Sequence, residues 1–208
     1  AIARVARRVG DGGLLWRRSL PYGGSNTDEW IDWVAGARDG RVYASRSTAS
    51  GPSGAAGSPR PITALDAVTG DTVWNSAATT VGGPYDGVVF APNGDLVVGD
   101  RLNVTRIRAT DGGTVWRVSR VGSVSGNCGA ALSPTGVFIA DAAVGGHVVK
   151  KLDLDTGALL YQSPVMPGFT VQNSPFVSPD GTTVLLHRTQ NSGPVDLLYA
   201  FSDTGSAL

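Results

Sequence analysis

Short apolar runs and glycine-containing turns alternate along the whole chain. One such unit is "LDAVTGDTVW" at residues 65–74, and nearly the same order of residues returns as "IRATDGGTVW" at 107–116. Apolar, β-branched runs on either side of a glycine turn are typical of β-hairpins. No stretch shows the apolar spacing of an amphipathic helix. The pattern therefore predicts an all-β protein.

Two kinds of hairpin alternate. In the first kind, a glycine comes four residues before an aromatic residue, in the pairs Gly12/Trp16, Gly70/Trp74, Gly112/Trp116 and Gly157/Tyr161, and a further copy begins near Gly205. The second kind has a polar turn within residues 34–45, 88–99, 130–140 and 175–187. Three of these turns contain residues that tolerate positive φ, namely Asp39-Gly40, Asn93-Gly94 and Asp180-Gly181.

The two hairpins together give about four strands per repeat. A unit of roughly 40 to 50 residues cannot bury both faces of its sheet alone, and stacking such units around an axis is the β-propeller solution. We therefore predict one β-propeller segment over residues 1–208, with about four and a half four-stranded blade repeats. The expected units are a half-repeat at 1–20 and repeats at about 28–78, 82–120, 125–164 and 170–208.

These combined units resemble a known repeat. In "SPFVSPDGTTVLLH" followed by "DLLYAFSDTG", a Pro-Asp-Gly-like hairpin precedes an ALDAxTGxxxW-like hairpin, and "ALDAVTGDTVW" at 64–74 and "VVFAPNGDLVVG" at 88–99 are further copies of the two kinds. This order is similar to the repeats of the PQQ-like (quinoprotein-type) β-propeller superfamily, over nearly the whole chain. The superfamily contains dehydrogenases, outer-membrane assembly factors and surface proteins, so the resemblance implies a fold and leaves the function open.

The resemblance also implies a role for the recurring aromatic residues. In the superfamily this residue docks against a neighbouring blade, so we expect the set to pack between blades: Trp16, Trp74, Trp116 and Tyr161. A large aromatic side chain buries about 150 to 250 Å², which suits a joint between sheets. Exposed platforms for sugars or bases are the alternative, and we favour packing because large apolar side chains are usually buried.

The hairpin count is uneven, since five hairpins are of the glycine-to-aromatic kind and four of the other. We favour a segment of a longer propeller as the explanation. The alternative is a spare hairpin that joins another chain, which would give self-assembly through exposed blade edges. The one long insertion, at 46–61, is rich in Gly, Ser, Ala and Pro, and we expect a solvated loop inside a blade.

One candidate site follows from aligning the second kind of hairpin on its turn glycines. Eight residues earlier stand Asp32, Asp86, Cys128 and Asn173. The resemblance implies that this position opens the innermost strand, beside the central channel. A ring of oxygen atoms there would suit a cation such as Ca²⁺. Polar residues that merely meet water in the channel are the alternative, and we favour that interpretation.

Composition narrows the partners and the compartment. Lys+Arg and Asp+Glu balance at 17 each, which disfavours nucleic acid, and no run approaches the roughly 18 apolar residues of a membrane span. A single cysteine excludes an intrachain disulfide. Asn103 begins an Asn-Val-Thr tripeptide, the acceptor pattern for glycosylation in a chain secreted by a eukaryote.

We therefore expect a non-catalytic scaffold or binding module of a larger exported protein, extracellular or periplasmic, that contacts proteins or glycans. One alternative is a segment of a PQQ-dependent or other redox or carbohydrate-active enzyme whose catalytic residues lie outside these residues. We predict no cofactor, because PQQ enzymes of the superfamily typically use an eight-bladed ring, a Ca²⁺ site and often a vicinal cysteine pair. A second alternative is a propeller like the outer-membrane assembly factors.

Overall fold

The structure is a computed structural model, and it describes residues 2–20, 31–47, 60–80, 87–122, 129–167, 174–187 and 198–208. These residues form strands and turns, and none of them lies in a helix. It follows that this described part of the chain holds no helix long and apolar enough to cross a membrane. The prediction of an all-β protein is confirmed.

The described strands form five antiparallel sheets, each built from consecutive strands. Sheet 1 contains β1 (Ile2–Arg7) and β2 (Leu14–Leu20). Sheet 2 contains β3 (Ile31–Arg38), β4 (Arg41–Ser47), β5 (Arg60–Asp66) and β6 (Thr72–Thr80). Sheet 3 contains β7 (Val89–Phe90), β8 (Leu96–Gly99), β9 (Asn103–Ile107) and β10 (Thr114–Ser119). Sheet 4 contains β11 (Ala130–Ser133), β12 (Gly136–Ala143), β13 (Gly146–Leu152), β14 (Leu159–Gln162) and β15 (Met166–Pro167). Sheet 5 contains β16 (Phe176–Val177), β17 (Thr183–His187) and β18 (Leu198–Ser202).

The turn residues explain where the hairpins reverse, with one difference from expectation. Asp39 and Gly40 both have positive φ, 50° and 72°, as a two-residue hairpin turn between β3 and β4 requires. At Asn93-Gly94 only the glycine is in this region, with φ 89°. Pro92 presets the first corner of a type I turn, so Asn93 keeps negative φ and Gly94 alone takes the left-handed conformation. Asp180-Gly181, which follows a proline, behaves in the same way.

Apolar cores lie between consecutive sheets. Strand β12 shows how, because Val137 and Ile139 join the core between sheets 3 and 4, whereas Phe138 and Ala140 join the core between sheets 4 and 5. All four are at most 1% exposed. Side chains on a strand alternate between faces, so a strand buried on both sides must be apolar at every position. Sheet 4 thus buries its apolar side chains against both of its neighbours.

The first strands of sheets 2 to 5 contact one another in order. β11 contacts both β7 and β16, and the Val88 N–H, just before β7, donates to the Ala35 carbonyl of β3 at 3.0 Å. Successive inner strands therefore follow one another around a common axis, which places the other end of each sheet outward.

Two details differ from the predicted repeats. Sheet 4 gains β15, which pairs with β13 and carries the sheet to residue 167. The segment between β4 and β5 is shorter than the predicted loop at 46–61, because β4 runs to Ser47 and β5 begins at Arg60. Residues 48–59 lie outside the described residues.

Candidate functional site

A tryptophan on the outer strand of one sheet lies on the turn glycine of the next. Three pairs share this geometry: Trp16 with Gly70, Trp74 with Gly112, and Trp116 with Gly157. A Cβ added to these glycines would meet the indole at 2.6, 2.7 and 2.8 Å, respectively. The glycines also have φ between 73° and 76°. Both the close approach and the backbone conformation therefore require glycine.

Each of these indoles also makes the same hydrogen bond. The ring N–H donates to the carbonyl of the residue three positions before the glycine, which is Ala67, Ala109 or Leu154, at 2.8 to 3.0 Å. The three tryptophans are at most 9% exposed. A buried indole N–H without an acceptor would cost about 1 to 3 kcal/mol, so this bond fixes the orientation of the ring on the turn.

Tyr161 forms a joint of a different kind between sheets 4 and 5. No atom lies within 4 Å of the position that a Cβ on Gly205 would take, so the tyrosine ring does not cover this glycine. The phenol instead donates to the carboxylate of Asp203 and accepts a hydrogen bond of 2.9 Å from Lys151. A polar contact thus replaces the ring-on-glycine contact.

Lys151 lies at the centre of this polar joint. Its Nζ is 2.6 Å from Asp203 Oδ2, 2.7 Å from Thr135 Oγ1 and 5.4 Å from the centre of the Phe138 ring. Its side chain is 2% exposed and that of Asp203 is 4% exposed. The ammonium is therefore buried and has a carboxylate from the neighbouring sheet as its counter-charge.

The joint between sheets 3 and 4 contains a related charge contact. Arg106 lies opposite Trp116 on the neighbouring strand, just as Lys151 lies opposite Tyr161. Its guanidinium contacts Asp95 of its own sheet and, at 2.9 Å, Asp155 of the next turn. The two earlier joints have alanine in place of the cation and no acid at the position two residues before the turn glycine. The residues at these places are Ala6 with Val68, and Ala64 with Thr110.

The buried pair shifts the pKa values of its members toward the charged forms. Burial alone would lower the pKa of Lys151, but hydrogen bonds to Asp203 and Tyr161 outweigh burial and raise it. Burial alone would raise the pKa of Asp203, but hydrogen bonds from Lys151, Tyr161 and the Gly205 N–H hold it below its usual range. The pair is therefore ionised near neutral pH.

A cavity of about 490 Å³ lies between the inner strands of sheets 3, 4 and 5. Its lining comprises Val89 of β7, Ala130, Ala131 and Leu132 of β11, and Ser174, Pro175, Phe176 and Val177 in and beside β16. None of these side chains is titratable. Phe176 is 63% exposed, although it lies on an inner strand. The volume is in the range of small-molecule binding sites.

The predicted axial ring falls largely outside the described residues. This holds for Asp86, Cys128 and Asn173, whereas Asp32 is described in its backbone, as part of β3 opposite Arg46. The residue after Cys128 and the residue after Asn173 do meet, since the Gly129 N–H donates to Ser174 Oγ at 2.7 Å. Within the described ranges, no three His, Cys, Asp or Glu side chains are grouped to hold a metal ion. The ring stays a prediction.

The predicted glycosylation site lies within a sheet. Asn103 is the first residue of β9, and its side-chain oxygen accepts a hydrogen bond of 3.3 Å from Ser119. Thr105, which completes the acceptor pattern, is 3% exposed. The pattern is thus part of a paired strand, and glycosylation of Asn103 stays a prediction.

Two features of the site were not predicted from the sequence. The charge contacts at Arg106 and Lys151 could have been found, because a cation in one repeat coincides with an aspartate two residues before the turn glycine of the next. The cavity between the inner strands of sheets 3, 4 and 5, called the axial cavity from here on, could not have been found in this way. Its lining residues are of types common in any β-strand.

Comparison with solved structures shows which known folds the chain is similar to. The chain is similar to BamB from Moraxella catarrhalis, with a TM-score of 0.54 and 19% identity over 94% of this chain and 51% of that one. It is also similar to a protein of unknown function from Bacteroides caccae, with a TM-score of 0.52 and 13% identity over 96% of this chain and 70% of that one. A quinohemoprotein alcohol dehydrogenase from Comamonas testosteroni gives a TM-score of 0.48 and 13% identity, over 77% and 31% of the two chains.

The likeness to BamB shows the fold of the chain, which is that of a β-propeller. BamB is a PQQ-like β-propeller protein, so the resemblance predicted from the repeats is confirmed at the level of the fold. The chain spans about half the length of the BamB chain. No protein-family model matches the sequence, and the comparison with curated proteins gives no match either.

The tryptophan-on-glycine contact predicts a specific loss of stability. Gly157→Ala should lower the free energy of unfolding by about 2 to 4 kcal/mol, because the new Cβ both strains the backbone and strikes Trp116. Gly145→Ala is the matched control in the same sheet, since Gly145 has φ 83° but nothing within 4 Å of its Cβ position. This control should lose only about 1 to 2 kcal/mol. Equal losses in urea titrations of the two variants would contradict the contact.

The buried Lys151 and Asp203 pair predicts a second effect on stability. Asp203→Ala should cost about 3 to 5 kcal/mol, because it leaves the Lys151 ammonium buried without its counter-charge. The double change of Lys151→Met and Asp203→Leu should cost clearly less, since it removes both charges. Asp155→Ala is the control, because Asp155 is 86% exposed, and it should change the urea midpoint little. A double variant less stable than Asp203→Ala would refute the pairing.

The same pair predicts how stability depends on pH. The lowered pKa of Asp203 stabilises the fold above the unfolded value of about 3.9, and this stabilisation is lost as the pH falls through the lower folded value. The raised pKa of Lys151 stabilises the fold below about 10.4, and this stabilisation is lost as the pH rises through the higher folded value. Urea midpoints between pH 3 and pH 11 should fall less steeply at both ends in the double variant than in the parent.

Proposed function

We propose that the chain is a non-catalytic binding module of an exported protein and that it holds a protein partner at the axial cavity. The observation that supports this proposal is the lining of that cavity, which consists of apolar side chains, one hydroxyl and an exposed phenylalanine. A lining without a titratable group offers no general acid or base, and none of the lining residues is a base that could activate the Ser174 hydroxyl as a nucleophile. It does offer apolar surface to a side chain inserted from a partner.

The chemistry of the lining favours a protein over a glycan. Sugars carry a hydroxyl on most carbons, and a sugar site needs several placed donors and acceptors to replace the lost water. Ser174 supplies the one polar side chain among the cavity residues, and its oxygen already accepts from Gly129. Aromatic residues are enriched at the centres of protein interfaces, and Phe176 suits that role.

The joints between sheets support a scaffold role. Both faces of sheets 3 and 4 are covered, and each joint adds hydrogen bonds from one sheet to a turn of the next. The inner strands that carry the cavity are therefore held in fixed relative positions. A rigid site loses little conformational entropy when it binds, which favours affinity.

The proposed location outside the cytoplasm rests on the superfamily resemblance and on the loops rich in Gly, Ser and Thr. Outer-membrane assembly factors of that superfamily act on protein partners, which agrees with the kind of partner proposed.

Site-specific photo-cross-linking tests the proposal. p-Benzoylphenylalanine placed at position 176 should cross-link to a protein in the cell that produces the chain, because the probe replaces an exposed ring at the cavity. The same probe at Val68, which is 74% exposed on a turn of sheet 2, is the control and should give no such product.

The captured partner must then bind in purified form. Phe176→Ala should weaken that binding by about tenfold or more, which is the scale of losing one central aromatic contact. Val68→Ala should leave the affinity unchanged. Binding to a glycan array that depends on Phe176, with no protein product in the cell, would refute the protein-partner assignment.

A further inference from the structure

The turn between β7 and β8 carries the one Asn-Gly pair of the sequence, at Asn93 and Gly94. We propose that Asn93 is a site of spontaneous deamidation and that its conversion to a carboxylate weakens the joint between sheets 3 and 4. Neither residue of the pair lines the axial cavity, so this site is independent of the proposed function.

An asparagine side chain cyclises most easily when glycine follows it, because glycine has no Cβ to hinder the approach of its nitrogen. After the Gly94 amide loses its proton to base, its nitrogen bonds to Asn93 Cγ. The bond from Cγ to Nδ2 then breaks, and Nδ2 takes a proton from water and leaves as ammonia. Water opens the cyclic imide at either of its carbonyl groups, which leaves aspartate or isoaspartate at position 93.

The folded turn keeps both reacting groups hydrogen-bonded. The Gly94 N–H donates to the Ala91 carbonyl at 2.8 Å. The Asn93 side chain accepts from the Asp95 N–H at 3.1 Å through Oδ1, and it donates to Asp95 Oδ2 at 3.0 Å through Nδ2. Cyclisation must therefore wait for the turn to open locally, even though Asn93 is exposed to water.

The acceptor of the Asn93 amide is a buried carboxylate that also holds other groups. Asp95 is 6% exposed, and it accepts from the Ala109 N–H and from Arg106 Nε, both at 3.0 Å. Burial alone would raise the pKa of Asp95, but the hydrogen bonds from these groups and from Asn93 hold it below its usual range. A carboxylate formed at position 93 would therefore lie beside a carboxylate that is already charged.

Conversion removes a hydrogen-bond donor to Asp95 and adds a like charge next to it. Two carboxylates in contact repel each other, most strongly where water is partly excluded. Arg106 does not balance the added charge, because Asp95 and Asp155 already contact its guanidinium. The charged pair that contacts this turn from sheet 2, Arg38 with Asp39 at 3.3 Å, adds no net charge. The new carboxylate therefore repels Asp95 and weakens its contact with Arg106.

Arg106 transmits this change to the neighbouring sheet. Its guanidinium donates to the Leu154 carbonyl at 2.8 Å and to Asp155 at 2.9 Å, both in the turn of sheet 4. Asp95 holds the guanidinium in position for these contacts, since it accepts from Nε and Nη2 at 3.0 Å each. The Leu154 carbonyl also accepts the indole N–H of Trp116. Loss of the Asp95 contact therefore weakens the joint at an acceptor that the charged and the aromatic side chains share.

Peptide mass spectrometry after incubation at mildly alkaline pH tests the modification site. In the chain unfolded in guanidinium chloride, the peptide with Asn93 should gain the mass difference between an amide and an acid, in aspartate and isoaspartate forms. The folded chain should form these products about tenfold or more slowly, because opening the turn costs free energy. Asn93→Ser cannot cyclise and should give no product at this position. Equal rates in the two states, or conversion of Asn75 as fast as that of Asn93, would overturn the proposal.

Asn93→Asp reproduces the aspartate product and tests its effect on the joint. In urea titrations it should raise the unfolding equilibrium constant about tenfold or more, the scale of losing one hydrogen bond to a charged group. Asn75→Asp is the matched control, because Asn75 is exposed and its oxygen accepts from Thr63 Oγ1 at 2.7 Å, as a carboxylate can. Its midpoint should equal that of the parent. Equal midpoints in the two variants would refute the effect.

Hydrogen exchange of the indole N–H groups shows where the stability is lost. In the Asn93→Asp variant the indole N–H of Trp116 should exchange with solvent faster than in the parent, because its acceptor lies in the weakened joint. The indole N–H of Trp16, which donates to Ala67 in the joint between sheets 1 and 2, should keep its rate. An equal increase at both tryptophans would indicate a general loss of stability and would refute the assignment to this joint.

Discussion

A flat indole can approach the backbone of a neighbouring sheet closely only where the residue beneath it has no side chain. That constraint links Trp16, Trp74 and Trp116 to glycines in the following sheet, and it fixes the distances between successive sheets from sheet 1 to sheet 4. The cores between sheets follow from it, because strands such as β12 can bury both faces only when the sheets on either side are held at packing distance. The repeated tryptophan thus acts as a spacer as much as a hydrophobic contact.

The joints and the cavity lie at opposite ends of the sheets. The outer strands carry the tryptophans, whose neighbours are dictated by the glycine turns, while the inner strands meet near the axis. Around the axis, packing does not require a particular residue, and an exposed Phe176 is found there among small aliphatic side chains. Rigid joints on the outside therefore leave the inner surface open to specialisation for a partner.

Much of this arrangement was accessible from the sequence, for a physical reason. A glycine and an aromatic residue four positions apart lie in one hairpin, so their recurrence predicted the hairpins and the sheets. The expectation that the tryptophans pack between blades came from the superfamily resemblance. Asn93 shows the limit of local rules, since the preceding proline changed the turn type and moved the positive φ to Gly94 alone. Tyr161 shows another, because the ring kept its place in the repeat but used its hydroxyl instead of its face.

The charged joints were harder to predict because their partners are far apart in the chain. Lys151 and Asp203 are 52 residues apart, and Arg106 and Asp155 are 49 apart, so no local pattern joins them. The pairing can be recognised only by aligning neighbouring repeats, which shows that a cation in one repeat is matched by an aspartate in the next. The axial cavity depends on three inner strands meeting at once, and their sequences alone do not state how their side chains are arranged around the axis.

The position of Lys151 has a consequence for how such a chain can be rearranged by duplication and recombination. Each joint divides its residues between two repeats, so a repeat with a tryptophan can precede any repeat with a glycine turn. A repeat with a buried lysine is more demanding, because the repeat after it must bring an aspartate. If the turn that contains Val68 followed Lys151, a buried ammonium would face a valine. The order of the repeats, and not only their number, is therefore part of what the sequence specifies.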